Sequence, residues 1–144
     1  MDKSANYDII YDESSSARIF VQSEGQPAEM YLGSASVRGG IWALCYDEDS
    51  RTGMEGTHTR VQASGARVTV SRTGSCSHTL IFEEGKAHST ELVTPHGSID
   101  AELKTQSLRV TASAPGVAVE LCYTLSLCGS EGESKKLKIS AELI

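Results

Sequence analysis

Residues 117–127 read Val-Ala-Val-Glu-Leu-Cys-Tyr-Thr-Leu-Ser-Leu, the longest alternating stretch in the chain. Every odd position carries a large apolar or aromatic side chain, and every even position carries a small or polar one. Successive side chains of a β-strand point to opposite faces, so this pattern predicts a long strand with one buried face and one solvent-exposed face.

The same alternation recurs on both sides of this stretch. It returns at residues 137–143 after the polar, glycine-bearing connection 129–133, which predicts an antiparallel hairpin. Shorter alternating runs precede it at 18–23, 28–37, 41–46, 57–63, 67–72, 78–82, 86–93, 99–104 and 108–112. The connections are too short for parallel crossovers, which need about a dozen residues or more. We therefore predict a mostly antiparallel sheet.

A sheet with one apolar face and no helix to cover it must fold onto itself, as a barrel or a sandwich. Hairpins between sequence neighbours favour the barrel. We predict an all-β, antiparallel up-and-down β-barrel of about 8–10 strands. The barrel domain is assigned to residues 17–144, and residues 1–16 are assigned to an N-terminal arm or a first strand.

Length and composition limit the function classes. A chain of 144 residues with 39% hydrophobic and 22% charged residues fits one globular domain, and no apolar run approaches the roughly 18 residues of a spanning helix. The net charge of −6 and the scattered Lys and Arg argue against nucleic-acid binding. The N-terminal residues lack the pattern of a secretory signal, so we expect a cytoplasmic protein with neither a membrane nor a nucleic acid as partner.

No motif indicates a cofactor, a metal or a catalytic centre. The chain has no nucleophile elbow and no phosphate-binding glycine cluster, and its glycines are spread as turn residues. Cys76 and His78 share a strand face, which permits a metal site without indicating one. The four cysteines are expected to be reduced, with disulfides not favoured. We therefore assign no catalytic residue and no cofactor.

Arg72 is the most informative single residue. It follows Val68 and Val70 in the alternation, so its side chain should point to the barrel interior or its rim. A guanidinium removed from water needs a partner, and Glu48 and Glu91 are the candidate carboxylates.

The same alternation places further aromatic and polar side chains on the interior face, where we expect them to converge with Arg72 on one cavity. An apolar wall with one guanidinium and several hydroxyls suits a small apolar or anionic ligand such as a carboxylate or phosphate, because the guanidinium can grip these groups in a bidentate fork. The alternative is a structural network that closes the barrel end. The candidate ligand-binding residues are Arg72, Tyr123, Tyr46, Thr105, Glu48 and Trp42.

A set of short motifs, in order along the chain from about residue 17 to its end, resembles a known family. The motifs are Tyr46-Asp47-Glu48, Gly56-Thr57-His58-Thr59, Arg72-Thr73-Gly74, Phe82-Glu83-Glu84-Gly85, Thr94-Pro95-His96-Gly97 and Leu121-Cys122-Tyr123. Together they resemble the YwiB-like bacterial family of domains of unknown function. The resemblance implies a calycin-like (lipocalin-like) barrel, a bacterial cytoplasmic protein and no established catalytic activity. It implies a fold but no mechanism.

Three functions compete at this point. The first is a binding module that encloses one small ligand in the barrel. The second is a structural or interaction protein with a filled barrel, acting through its surface or through self-association as a homodimer. An enzyme would have to use Arg72, Tyr123, Glu48 or a histidine in a way that no motif announces.

Overall fold

The computed structural model describes residues 14–113 and 116–144, and the regular structure of these residues is ten β-strands. Their bounds are Ser15–Ser23 (β1), Glu29–Arg38 (β2), Ile41–Asp47 (β3), Thr57–Ala63 (β4), Val68–Gly74 (β5), His78–Phe82 (β6), Ala87–Thr94 (β7), Gly97–Ser113 (β8), Gly116–Leu127 (β9) and Ser134–Leu143 (β10). No helix that could cross a membrane is found in this part of the chain. Most of the predicted arm, residues 1–13, lies outside the described residues.

The strands form one antiparallel sheet in the order β6-β5-β4-β3-β2-β1-β10-β9-β8-β7. Apart from the β1–β10 pair, which joins the two ends of the chain, every paired strand is a sequence neighbour of its partner. The sheet curls until β6 and β7 meet, where isolated bridges such as Ser77–Val93 join its two edges. The predicted antiparallel up-and-down barrel is therefore confirmed, and the barrel is nearly closed.

A charged cluster reinforces this β6–β7 seam. Glu83, just after β6, contacts Arg67 before β5 at 2.7 Å, His88 on β7 at 3.0 Å and Lys86 at 3.4 Å. Burial opposes ionisation of Glu83, but hydrogen bonds from Arg67 and Lys86 outweigh it and lower the pKa of this carboxyl group. The seam cluster, Glu83 with these three partners, thus joins strands that share few backbone hydrogen bonds.

One strand corrects the sequence-based assignment. The runs 99–104 and 108–112 are parts of a single strand, β8, which is irregular between Thr105 and Ser107. Thr105 pairs with Tyr123 while Ser107 pairs with Cys122, so one extra residue is accommodated on β8 as a bulge. The bulge moves the inward-facing residues from odd to even positions, and this break in alternation imitates a strand boundary.

The interior of the β3–β6 side is arranged in rows set by strand register. The rows, from the start of β3 toward its end, are Trp42–Ala63–Val68–Phe82, Leu44–Val61–Val70–Leu80 and Tyr46–Thr59–Arg72–His78. The first two rows are apolar and belong to or pack against the hydrophobic core. The third is polar and lies at the barrel end where β3 and β5 finish. Polar groups therefore sit directly beside an apolar interior.

Candidate functional site

A cavity of about 230 Å³ lies at this end of the barrel. Its polar wall includes Tyr31, Tyr46, Glu48, Arg72 and Tyr123, together with Ser23, Gln26, Glu29 and Thr52. Its apolar wall includes Val21, Val61, Val70, Leu80, Phe82 and Ile139. The volume is below the about 300–1,000 Å³ of sites for drug-sized molecules, so the cavity fits a smaller compound.

Glu48 is the most deeply buried charged side chain of the site. It follows the last residue of β3, and its side chain is 1% exposed. The carboxylate accepts hydrogen bonds from the hydroxyls of Thr59 (2.5 Å) and Thr52 (3.0 Å), and Oε2 lies 3.6 Å from Nε of Arg72. Both carboxylate oxygens are therefore engaged, as a buried charge requires.

Arg72 is held by the polar row but not saturated by it. Its Nε donates to Oγ1 of Thr59 at 3.3 Å, and its Nη1 donates to Nε2 of His78 at 3.1 Å. A guanidinium carries five N–H groups. Within the described residues, the remaining N–H groups, including those on Nη2, have no hydrogen-bond partner. Arg72 thus offers unused donors to the cavity.

The contact with Arg72 fixes the protonation of His78. A guanidinium can only donate, so Nε2 must accept and the neutral ring carries its proton on Nδ1. Burial and the positive charge of Arg72 lower the pKa of His78, which favours this neutral form. Nδ1 is buried and has no partner among the described residues.

Three tyrosines complete the polar wall. Burial raises the pKa of Tyr46 above its usual range, and Glu48 raises it further. Burial and the carboxylates of Glu48 and Glu29 raise the pKa of Tyr31 to about 12. Burial also raises the pKa of Tyr123, which Arg72 partly offsets. All three hydroxyls therefore keep their protons at neutral pH.

The loop between β3 and β4 closes one side of the cavity mouth. Its Arg51 donates to the carbonyl oxygen of Met30 at 3.1 Å, lies 3.4 Å from Glu29 and stacks 4.5 Å above the Tyr31 ring. Asp49 orients the same guanidinium at 2.8 Å. The loop thereby covers the first half of β2, which pairs with β1 but not with β3.

Gly33 permits this arrangement of β2. A Cβ atom there would collide with the carbonyl oxygen of Cys45 and would lie 2.9 Å from Cδ1 of Ile19 and 3.1 Å from Cβ of Tyr46. Only glycine lets β2 pass this close to β3 at the level of Tyr46.

The structure brings four of the six candidate residues together. Arg72, Tyr123, Tyr46 and Glu48 line the cavity. Trp42 and Thr105 do not line it. The two candidate carboxylates for Arg72 also separate, because Glu48 lies beside it and Glu91 is exposed on β7.

Trp42 and Thr105 do not line the cavity because of their positions along the barrel and around it. Trp42 shares the inward face with Tyr46 but lies two rows away, where it belongs to the core. Thr105 is buried on β8 opposite Tyr123, and its Oγ1 has no partner within the described ranges. Strand alternation specifies which face a side chain occupies but not how far along the barrel it lies.

Three residues of the site were missed from the sequence although alternation could have found them. Thr59 precedes the inward positions Val61 and Ala63, and His78 precedes Leu80 in the same way. Tyr31 lies on the inward face of β2. A fourth, Thr52, comes from a loop, where alternation gives no signal.

No metal centre accompanies the site in residues 14–113 and 116–144, where no group of three His, Cys, Asp or Glu side chains is arranged to hold an ion. Cys76 is buried, and its backbone N–H donates to Oγ1 of Thr57. The nearby His78 already accepts from Arg72 through Nε2. All four cysteines are free, and they range from buried (Cys76) to exposed (Cys128).

Comparison with known proteins identifies a family. The crystal structure of the ywiB protein from Bacillus subtilis superimposes with a TM-score of 0.76, covering 91% of this chain and 93% of that one at 16% sequence identity. This likeness establishes a shared fold. No curated protein matches the sequence significantly. The family model described as "Domain of unknown function (DUF1934)" matches residues 16–139. The chain belongs to the DUF1934 family of domains of unknown function.

Proposed function

We propose that this protein is a non-catalytic binding module that holds one small apolar or anionic organic molecule in the cavity at the barrel end. The proposal rests on the hydrogen bonding of Arg72. This side chain is anchored by Thr59 and His78, yet it keeps N–H groups without protein partners beside an apolar wall. The Arg72 side chain is 18% exposed, so these N–H groups are accessible to water or to a bound molecule rather than sealed in the core. A bound molecule would supply the missing acceptors.

The surroundings of Arg72 favour binding because they hold it in place before a ligand arrives. Glu48 balances its charge, and Thr59 and His78 fix the plane of the guanidinium. A side chain already held in its binding conformation loses little entropy when a ligand arrives. Val61 and Val70, one row away, offer apolar contact area to the rest of the molecule.

The same contacts argue against acid–base catalysis. The Glu48 carboxylate is occupied by Thr52, Thr59 and Arg72, and Nε2 of His78 accepts from Arg72. A general base needs a free lone pair within reach of the proton it removes. Both candidate bases are engaged by the protein itself.

Native and denaturing mass spectra of the protein purified from its own host test this proposal. A molecule enclosed at the barrel end should add a constant mass in the native spectrum and be lost on unfolding. Val70→Phe fills the cavity and should abolish the added mass. Val37→Phe, which enlarges a core-packed residue that does not line the cavity, is the matched control and should retain it. A bare chain after incubation with host metabolites would contradict the proposal.

A surface role is the second candidate, and one observation favours it. Phe20 and Met30 pair across β1 and β2 on the outer face, next to Leu32, which is 70% exposed. We propose self-association through this patch as the alternative function. Sedimentation equilibrium tests it: a homodimer that Leu32→Lys dissociates would support it, and a monomer at all concentrations would reject it.

A further inference from the structure

The unpartnered polar groups that line the cavity include hydrogen-bond donors of Arg72 and Tyr123. The free N–H groups of Arg72 can only donate. The Tyr123 hydroxyl lines the same cavity and has no partner among the described residues. Burial keeps this hydroxyl protonated by raising its pKa. Two side chains of the same cavity therefore present donors without protein acceptors.

The carboxylate and imidazole acceptors of the site already have protein partners, and Glu29 among them accepts from the Tyr31 hydroxyl at 3.2 Å. Thr52 and Thr59 donate to the two oxygens of Glu48, and Nε2 of His78 accepts from Arg72. An incoming group that needs donors is therefore matched by the wall, whereas an incoming donor finds its best acceptors occupied. The complementary ligand group is one that only accepts.

We infer, resting on the proposed function, that the ligand is a small monocarboxylate whose carboxylate is bound by Arg72 and Tyr123 and whose hydrocarbon part lies against the apolar wall. A carboxylate matches the guanidinium fork, and its charge strengthens each hydrogen bond relative to a neutral carbonyl. A phosphate dianion fits less well, because the single guanidinium already balances Glu48 at 3.6 Å.

Strand geometry limits the length of the hydrocarbon part. Rows of inward-facing residues two positions apart are separated by about 6.6 Å along a strand. With its carboxylate at Arg72, a chain of about four to six carbons reaches past Val70 and Leu80 toward Phe82 in the next row. Hexanoate and benzoate have this size and are suitable probes.

The test compares each acid with its neutral amide by NMR titration of cavity side-chain signals. Hexanoate should bind at least about tenfold more tightly than hexanamide, and benzoate more tightly than benzamide by a similar factor. Arg72→Lys keeps the charge opposite Glu48 but loses the fork, so it should weaken acid binding about fivefold or more and leave amide binding unchanged. Tyr123→Phe keeps the ring that packs edge-on against Phe82 and should selectively weaken acid binding.

A control separates this effect from general electrostatics. Arg109→Lys changes an exposed arginine on the outer face and should leave every affinity unchanged. Equal affinity for acids and amides would overturn the carboxylate assignment while leaving the binding cavity intact. If neither acid nor amide moves the cavity signals at millimolar concentration, both the assignment and the proposed function are overturned.

Discussion

Oε2 of Glu48 lies 3.6 Å from Nε of Arg72, and the Thr59 hydroxyl bridges the two groups. This contact joins the loop after β3 to β5 through the strand between them. It places opposite charges where the apolar rows end, and it leaves N–H groups of Arg72 without protein partners beside the cavity.

The first prediction concerns this ion pair. Arg72→Met should lower the free energy of unfolding by about 3 kcal/mol or more, because it leaves the Glu48 charge buried without a counter-charge. Adding Glu48→Gln should recover much of the loss. Urea denaturation of the two single variants and the double variant measures the coupling. The exposed pair Arg109–Glu120 is the control and should couple by about 0–1 kcal/mol. Additive effects at Glu48 and Arg72 would disprove the coupling.

The second prediction concerns the pH dependence that His78 creates. Its pKa is lowered in the folded state, so the unfolded chain binds a proton more readily once the pH falls below the ordinary value of 6.5. Stability is therefore complete above that pH and declines below it. His78→Gln removes the titrating group and retains an acceptor for Arg72. The thermal unfolding midpoint of this variant should therefore fall less between pH 7 and pH 5 than the midpoint of the wild type. If the unfolding midpoints of the two proteins fall equally with pH, the assignment of a neutral His78 is contradicted.

The third prediction concerns the close approach at Gly33. Gly33→Ala should destabilise the barrel by about 2 kcal/mol or more, since the added methyl group collides with the backbone of Cys45. Gly65→Ala is the matched control, because its Cβ meets nothing within 4 Å and its effect should stay within about 0.5 kcal/mol. Thermal unfolding compares the two. Equal melting temperatures would show that β2 and β3 are not packed this closely.

The fourth prediction concerns the seam cluster. The lowered pKa of Glu83 means that its ionised form stabilises the fold above the ordinary value of 4.5, and that this contribution is lost as the pH falls through the lowered pKa. Glu83→Gln should be less stable than the wild type at neutral pH, and the difference should shrink toward pH 3. Amide hydrogen exchange should show faster exchange in β6 and β7 of the variant at neutral pH. Unchanged exchange in β6 and β7 would show that Glu83 does not contribute to closing the barrel.

The strand pattern was predictable because side-chain alternation directly reports which face is buried, as residues 117–127 show. The bulge beside Thr105 was not, since one inserted residue breaks the alternation and reads as a turn. Alternation placed Arg72 and Tyr46 on the inner face correctly. It could not show that Trp42, on the same face, lies two rows from the cavity, because depth depends on the register between strands.

The carboxylate partner of Arg72 also could not be predicted from side-chain alternation. Glu48 and Glu91 were equivalent in the sequence, since both lie in or next to predicted strands. Their separation follows from the order in which the strands close the barrel and from the loop that turns Glu48 inward. Such contacts between distant segments leave no local pattern in the sequence.

A crystal structure of the protein with saturating hexanoate tests the central claim most directly. We expect ligand density at the barrel end, with its carboxylate at the free N–H groups of Arg72 and its carbon chain against Val61 and Val70. Density for water alone between Arg72 and Val70, or a cavity closed by movement of Leu80 and Tyr123, would contradict the claim that this barrel holds a small molecule.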